Sequence, residues 1–253
     1  MSAPRIRFLI GGVQKGGTTA LAHFLGRHPG LALPRGKEAH VFDSPDFDEA
    51  WTPAQVDARY DAHFDLSASG VLHGDATPLY CFHPTLVRRI AAYNPAMRWI
   101  LLLRHPVERA VSHYRMERAR GDERWPFWAA MLLERWRLRG HGDDFSHDSP
   151  LRHHSYRARG DYARQLDVLY AHFPATQVLL LRNEALAQAP EQTLQRIWDF
   201  LEVEPVARQD DYGRVFEGGY AALRRGGLRF KLVSWLMAPQ MRRARRRHGL
   251  DWH

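Results

Sequence analysis

Cysteine, long apolar runs and acidic charge are scarce in this sequence. A single cysteine, Cys81, among 253 residues excludes an internal disulfide and favours a reducing compartment or indifference to redox state. No apolar run approaches the roughly 20 residues that cross a membrane. The first predicted strand starts by about Ile6, which leaves no room for a signal peptide. We therefore expect a cytoplasmic chain without a transmembrane segment.

Basic residues outnumber acidic ones. Lys and Arg total 36 against 28 Asp and Glu, for a formal net charge of +8. Such a surplus indicates an anionic ligand, an acidic acceptor or a nucleic acid. Part of it lies in one run at 242–247, however, and no nucleic-acid-binding module is recognisable. We therefore expect no nucleic-acid partner.

Short apolar runs alternate with helical patterns along the chain. The predicted strands are 6–13, 31–33, 71–75, 97–103 and 176–181, and the predicted helices are 20–28, 52–64, 84–93, 125–138, 160–173 and 190–201, with a further one ending near residue 118. This alternation is typical of an α/β fold with a central parallel sheet flanked by helices. With 45% hydrophobic residues and no repeat or linker, the sequence predicts one domain over 1–253.

The pattern becomes less regular from 210 to 253. A dense apolar cluster at 228–241 is followed by the basic run, which predicts a C-terminal helix packed on the core with a solvated basic end. The alternative is weak contact of this basic tail with a membrane surface or an acidic polymer.

The stretch at 6–19 carries the strongest chemical signal. Its apolar run breaks into Gln14-Lys15-Gly16-Gly17-Thr18-Thr19, which predicts a strand, a tight loop and a helix N-terminus. Glycine amides and the start of a helix form an anion site, and Lys15 adds a full charge. The lysine precedes the glycine pair, so the loop is not a Walker A motif. It predicts a site for a phosphate-like group that is bound without a metal.

A second anion site is predicted after the buried strand at 97–103. Arg104 lies at the end of that strand. Ser112 is eight residues later, two turns into the predicted helix that follows, so the two side chains can face the same side. An arginine with a hydroxyl is a good receptor for a terminal phosphate, and Tyr114 is close in sequence. In the alternative interpretation, Arg104 pairs with Glu108 and Ser112 simply packs.

Taken together, these motifs resemble those of sulfotransferases that use 3′-phosphoadenylyl sulfate. Residues 15–19 resemble their 5′-phosphosulfate loop, and residues 104–114 are similar to their 3′-phosphate motif R-x-P-x-x-R-x-x-S-x-Y. The carbohydrate branch, especially the heparan sulfate 3-O- and N-sulfotransferases, is the nearest likeness. Its E-x-H-F-F-D stretch, its T-P-x-Y element and its D-W ending are matched by Glu38-Ala39-His40-Val41-Phe42-Asp43, Thr77-Pro78-Leu79-Tyr80 and Asp251-Trp252.

The resemblance implies a P-loop NTPase-like three-layer fold and in-line transfer of a sulfuryl group to a hydroxyl or an amine. It implies that Glu38 is the base, with His40 as its rival, and that Asp43 orients neighbouring groups. The cofactor-binding residues it implies are Lys15, Gly16, Gly17, Thr18, Thr19, Arg104 and Ser112, with Arg224 and Arg225 as a loose stand-in for a C-terminal phosphate loop. It implies adenosine 3′,5′-bisphosphate as the product and a small molecule or a saccharide as the acceptor.

Several departures from the pattern limit the likeness. Ala76 replaces the lysine expected before T-P, and the second cysteine of a family hairpin is missing. These differences favour a bacterial type of enzyme whose acceptor need not be heparan sulfate. The 15 histidines lack the spacing of a metal motif, so no metal is expected. A non-catalytic nucleotide-binding scaffold and a kinase-like phosphotransferase remain as alternatives.

Overall fold

The computed structural model of the protein describes residues 4–65, 70–206 and 225–252, in two compact units. The first unit comprises the described residues of Met1–Leu103 and Val168–Glu217, and the second those of Arg104–Asp167 and Gly218–His253. The single domain expected from the sequence stays a prediction. Among the described residues, no helix combines the length and the apolar character needed to cross a membrane.

A five-stranded parallel sheet forms the centre of the first unit. Its strands are β1 (Ile6–Gly12), β2 (Leu31–Ala32), β3 (Leu72–Asp75), β4 (Arg98–Leu103) and β5 (Val178–Arg182), in the spatial order β2-β3-β1-β4-β5. Every neighbouring pair is parallel, with Leu9 opposite Asp75 and Trp99. The predicted parallel α/β sheet is confirmed. In such sheets ligand sites lie beyond the carboxyl ends of the strands.

Eleven α-helices are present among the described residues. They are α1 (Thr18–Leu25), α2 (Pro53–Tyr60), α3 (Pro84–Tyr93), α4 (Pro106–Arg120), α5 (Phe127–Leu132), α6 (Glu134–Arg137), α7 (Pro150–His153), α8 (Tyr162–His172), α9 (Asn183–Gln188), α10 (Pro190–Leu201) and α11 (Leu228–His248). Proline at the first helical position begins α2, α3, α4, α7 and α10, where the missing amide costs no intrahelical hydrogen bond.

Each unit has its own apolar core. In the first, residues of β1 and β4 pack against α1 and α10, and Phe8, Ile100, Leu21 and Ile197 are all fully buried. In the second, α4 packs against α5 and α11 through buried residues that include Val107, Ala110, Phe127, Val233 and Met237. Burial of such side chains is the main driving force for folding.

The helices differ from the sequence-based prediction in two places. The helix expected over 125–138 is divided into α5 and α6, with Leu133 between them outside helical geometry. Residues 140–155 lie outside every predicted helix but contain α7, whose N-cap Ser149 accepts a hydrogen bond from the amide of Arg152. The apolar cluster at 228–241 and the basic run lie in one continuous helix, α11, in agreement with the expected C-terminal helix that has a basic end.

Candidate active site

The loop between β1 and α1, residues 13–17 and called the glycine loop below, is shaped by close backbone packing. The amide of Val13 donates to the carbonyl oxygen of Leu102 (3.2 Å), and that of Gly16 donates to the oxygen of Val13 (2.8 Å). A Cβ on Gly16 would lie 2.1 Å from the Leu102 oxygen, so no other residue fits. Gly17 is the N-cap of α1 with φ of 100°, a conformation that glycine adopts at no steric cost.

Asn183 holds this loop from the neighbouring strand–helix turn. Its side-chain amide donates to the carbonyl oxygen of Gly16 at 2.8 Å, and a Cβ on Gly17 would lie 2.4 Å from that amide nitrogen. Asn183 begins α9 directly after β5. Sequence reasoning missed this residue, and the only signal for it was its place after a predicted strand.

The predicted 5′ anion site coincides with the first turn of α1. The first intrahelical bond runs from the Leu21 amide to the Gly17 oxygen, so the amides of Thr18, Thr19 and Ala20 belong to the turn that lacks intrahelical acceptors. Thr18 is buried and Thr19 is exposed. The two hydroxyls that were predicted together therefore have different environments, and only Thr19 is readily accessible to a ligand.

A charged loop, defined as residues 37–43, follows β2 and contains both predicted bases. His40 lies between two carboxylates, with its Nδ1 2.8 Å from Asp43 Oδ2 and its Nε2 3.3 Å from Glu38 Oε2. Lys37 Nζ lies 2.5 Å from the other Glu38 oxygen. Asp43 is fully buried, whereas the side chains of Glu38 and His40 are about one-third exposed, at 30% and 39%. The structure thus brings Glu38, His40 and Asp43 together in one row.

These contacts determine the protonation of the charged loop. Burial raises the pKa of Glu38, but the hydrogen bond to His40 and the charge of Lys37 outweigh it and lower the pKa to about 2. Burial lowers the pKa of His40, but its bonds to Asp43 and Glu38 outweigh this and raise the pKa to about 10. Near neutral pH, Glu38 is therefore a carboxylate that can accept a proton, and His40 carries a proton and cannot.

A buried hydrogen-bond network around Asp75 holds the charged loop in place. The carboxylate of Asp75, at the end of β3, accepts from the hydroxyls of Tyr60 (2.9 Å), Thr77 (2.8 Å) and Tyr80 (2.8 Å) and from the amide of Ala39 (3.3 Å). The predicted T-P-x-Y element is therefore part of the support for this loop. Because Asp75 is fully buried, its pKa is raised even though these four donors oppose the shift.

Left-handed backbone geometry is concentrated at the candidate site. Among the described residues, four that are not glycine have positive φ: Lys15 (66°), Lys37 (81°), His40 (54°) and Glu202. Three of these four belong to the glycine loop or the charged loop. Side chains rarely adopt this conformation, and it tends to persist where the surrounding structure holds a functional group in place.

The predicted 3′-phosphate residues lie at the start of α4 in the second unit. Glu108 joins two arginines there, because its carboxylate lies 3.5 Å from Arg104 Nε and 2.7 Å from Arg225 Nε. Ser112 is four residues after Glu108 on α4, so the two share a helix face. The ion pair considered as the alternative for Arg104 is therefore present, and it brings Arg225 to the same place. Arg224 lies outside the described residues.

Neighbouring parts of this motif have structural roles. Tyr114 is buried and its hydroxyl donates to the carbonyl oxygen of Trp125 at 3.0 Å. Arg109 is fully buried and donates to the carbonyl oxygen of Tyr156. Trp252, of the predicted D-W ending, lies with its ring 6.0 Å from that of His105, the N-cap of α4, and 5.5 Å from that of Tyr162. These residues support the start of α4 rather than presenting it to a ligand.

Comparisons with known proteins agree with this picture. The sequence profile of the sulfotransferase domain matches residues 5–212. The chain is 30% identical over 224 residues to heparan sulfate glucosamine 3-O-sulfotransferase 6 of Homo sapiens, a match that covers 87% of this chain and 60% of the relative. It is 28% identical over 217 residues to the human bifunctional heparan sulfate N-deacetylase/N-sulfotransferase 2, covering 79% of this chain and 22% of the relative.

A solved structure gives the same result. The sulfotransferase from Alicyclobacillus acidocaldarius superimposes with a TM-score of 0.71 at 27% identity, covering 100% of this chain and 98% of that one. The match therefore includes 98% of the bacterial chain, whereas this chain spans 60% and 22% of the length of the two human relatives. By its sequence profile and its fold, this chain belongs to the sulfotransferase domain family.

Proposed function

We propose that this chain transfers a sulfuryl group from 3′-phosphoadenylyl sulfate to a hydroxyl or an amine of an acceptor. The observation that carries the proposal is the glycine loop, where Gly16 and Gly17 leave no space for a Cβ and the first turn of α1 presents its amides. Such a cradle suits the phosphosulfate end of the donor, with Lys15 as the cation. Membership of the family supports the same donor.

The charged loop supplies the base in this proposal. The acceptor oxygen or nitrogen attacks sulfur while the bond from sulfur to the bridging oxygen breaks, and adenosine 3′,5′-bisphosphate leaves with the electron pair. The acceptor proton passes to the carboxylate of Glu38, which is ionised. Lys15 and the loop amides stabilise the charge on the departing oxygen. His40 then acts as a positioning residue that orients Glu38 and is itself held by Asp43.

The contact with Lys37 would make the base strength of Glu38 depend on whether the acceptor is bound. After the hydrogen bond to His40, the ammonium of Lys37, 2.5 Å from Glu38 Oε1, also lowers the pKa of that carboxyl, so the carboxylate is a weak base. We infer that the acceptor displaces Lys37 Nζ when it binds. The pKa of Glu38 would then rise toward its ordinary value, and the group would become a stronger base as the substrate arrives.

The start of α4 would bind the 3′-phosphate. Arg104, Arg225 and Ser112 lie around one helix face, and guanidinium groups form paired hydrogen bonds with phosphate oxygens. Glu108 pairs with both arginines and keeps them together. The human relatives, by their names, act on heparan sulfate, and we propose a carbohydrate or a glycosylated small molecule as acceptor. The cytoplasmic location is likewise a proposal.

Isothermal titration calorimetry tests the donor. Adenosine 3′,5′-bisphosphate should bind with a one-to-one stoichiometry and with the same affinity with or without Mg²⁺, whereas ATP with Mg²⁺ should bind at least about tenfold more weakly. Tighter binding of ATP with Mg²⁺ would favour a phosphotransferase and overturn the proposal. Binding of the bisphosphate without sulfate transfer to any of a panel of saccharide, phenol and amine acceptors would favour the non-catalytic scaffold.

A further inference from the structure

The C-terminal helix α11 carries charge of one sign only. Its 21 residues include seven lysines and arginines but neither aspartate nor glutamate. A helix this basic attracts anions, which come either from the rest of the folded chain or from a partner. The contacts of each arginine and the direction in which it faces distinguish these two sources.

One side of α11 is packed against the rest of the second unit. The buried residues of the helix are Val233, Met237 and Ala244, and the first two belong to the apolar core shared with α4 and α5. At 3.6 residues per turn, all three lie within about 40° of a single line along the helix. This line is the inner side of α11, and the opposite line faces away from the core.

Six residues follow that opposite line, and we call them the outer stripe. They are spaced alternately by four and three positions and comprise Leu228, Leu232, Trp235, Pro239, Arg242 and Arg246. All are exposed except Leu232, which is partly buried. Leu228 and Trp235, at 74% and 71%, are the most exposed large apolar side chains that the structure describes. The outer stripe therefore has an apolar half followed by a basic half.

The ion pairs of α11 divide its arginines into two groups. Arg243, Arg245 and Arg247, which lie beside the outer stripe, each pair with an aspartate, at 2.7, 3.4 and 2.7 Å. Arg242 and Arg246, which lie on it, are exposed and pair with no acidic residue in the part of the chain that the structure describes. The two guanidinium groups of the outer stripe are therefore available to an external anion.

The combination of the two halves selects the kind of partner. A nucleic acid or another acidic polymer would pair with the arginines but would leave Leu228 and Trp235 in water. A second copy of the outer stripe would place arginine against arginine in a parallel pair, and arginine against the apolar half in an antiparallel pair. An anionic lipid surface satisfies both halves, because apolar side chains enter the head-group region and guanidinium groups contact lipid phosphates.

We propose that α11 binds an anionic lipid surface through the outer stripe, with the helix lying in the plane of that surface. Leu228 and Trp235 enter the head-group region, and Arg242 and Arg246 contact the phosphates. The sequence indicated only the basic run as a weak membrane contact, whereas the structure adds the apolar half on the same side of the helix. The proposal is independent of sulfuryl transfer, because no residue of the outer stripe belongs to the glycine loop, the charged loop or the start of α4.

Co-sedimentation of the full chain with lipid vesicles tests the proposal. Vesicles of phosphatidylglycerol and phosphatidylcholine in equal parts are compared with vesicles of phosphatidylcholine alone. We expect the anionic vesicles to bind the chain at least about tenfold more tightly, because the arginines contribute only where the surface is negative. Binding should weaken as NaCl is added, since salt screens exposed charges.

Paired charge variants locate the basic half of the contact. Arg242→Gln combined with Arg246→Gln should weaken binding to the anionic vesicles on the order of 20-fold, since each arginine near such a surface contributes about fivefold. Arg164→Gln combined with Arg196→Gln is the matched control. It removes the same charge from exposed positions on α8 and α10 and should keep wild-type binding.

A tryptophan variant locates the apolar half. Trp235→Ala should weaken binding to the anionic vesicles about tenfold, because the indole supplies much of the apolar area that enters the lipid. Trp136→Ala on α6 is the control, since that side chain is also largely exposed, at 67%, but lies outside the outer stripe. A wild-type Tm in each variant would show that the chain is still folded.

Several results would overturn the proposal. The first is equal binding, or no binding, to the two kinds of vesicle, and the second is an equal loss in the stripe variants and their controls. Binding to heparin without binding to vesicles would assign the outer stripe to an acidic polymer. A concentration-dependent dimer that Trp235→Ala dissociates would assign it to a second copy of the chain.

Discussion

Two loops at the carboxyl edge of the sheet are held in place by different kinds of contact. The glycine loop after β1 is held by backbone contacts, with the Leu102 oxygen and the Asn183 amide filling the space that a Cβ would need. The charged loop after β2 is held by side chains, with Asp75 and Asp43 anchoring it and His40 lying between two carboxylates. The first should therefore be sensitive to side-chain volume, and the second to charge and pH.

Removal of the Glu38 charge should have the largest effect on catalysis. Glu38→Gln keeps the size of the side chain but cannot accept the acceptor proton, so kcat should fall about 10²- to 10⁴-fold. Calorimetry should show unchanged affinity for adenosine 3′,5′-bisphosphate. The exposed Glu191→Gln on α10 is the control and should keep wild-type kcat. Full turnover in Glu38→Gln would exclude Glu38 as the base, and the charged loop would then not supply the base.

Addition of one methyl group to the glycine loop should affect binding most. In Gly16→Ala the new Cβ would lie 2.1 Å from a backbone oxygen that cannot move away cheaply, so the loop must change shape. We expect affinity for adenosine 3′,5′-bisphosphate to fall on the order of 100-fold, with a lower Tm. Gly142→Ala, where the Cβ would meet no atom within 4 Å, should behave as wild type. Equal affinities in the two variants would show that the backbone packing around Gly16 does not form the binding site.

The predicted 3′-phosphate site at the start of α4, like the charged loop, is formed by side chains. Two ligands that differ only in the 3′-phosphate test it. Arg104→Ala should weaken binding of adenosine 3′,5′-bisphosphate about tenfold, because one charge-assisted contact to the 3′-phosphate is lost. Binding of adenosine 5′-monophosphate, which lacks that phosphate, should not change. Exposed Arg164→Ala controls for net charge. An equal loss for both ligands would show that Arg104 does not recognise the 3′-phosphate.

The smallest expected effect is a change in the pH dependence of stability. The pKa of His40 is about 10 in the folded chain against an ordinary 6.5, so folding favours the protonated ring. This stabilisation is complete below about pH 6.5 and is lost as the pH rises toward 10. Urea unfolding at pH 6 and pH 9 should therefore show a smaller decrease for His40→Gln than for the wild type.

The exposed His172→Gln should keep the wild-type difference between the two pH values. If His40→Gln also kept that difference, the proton on His40 would not be bound as the structure indicates.

Much of the site could be predicted from residues that are close in sequence. The glycine pair in Lys15-Gly16-Gly17 predicts a tight turn, because glycine is required where backbone atoms come close together. Both candidate bases lie within the three residues Glu38-Ala39-His40. The role of Asn183 could not be predicted, because its hydrogen bond to Gly16 spans 167 residues. The contact of Arg225 with Glu108 could not be predicted either, because the two residues are 117 positions apart.

The sequence by itself determined the parallel α/β fold and the family, because periodicity and motif spacing are properties of local segments. The tertiary structure decided the protonation of the two candidate bases. Glu38 and His40 are only two residues apart, yet their pKa values move in opposite directions against the effect of burial. The contacts with His40 and Lys37 lower the pKa of Glu38, whereas those with Asp43 and Glu38 raise the pKa of His40. Charge states depend on desolvation and distance, and neither exists until the chain has folded.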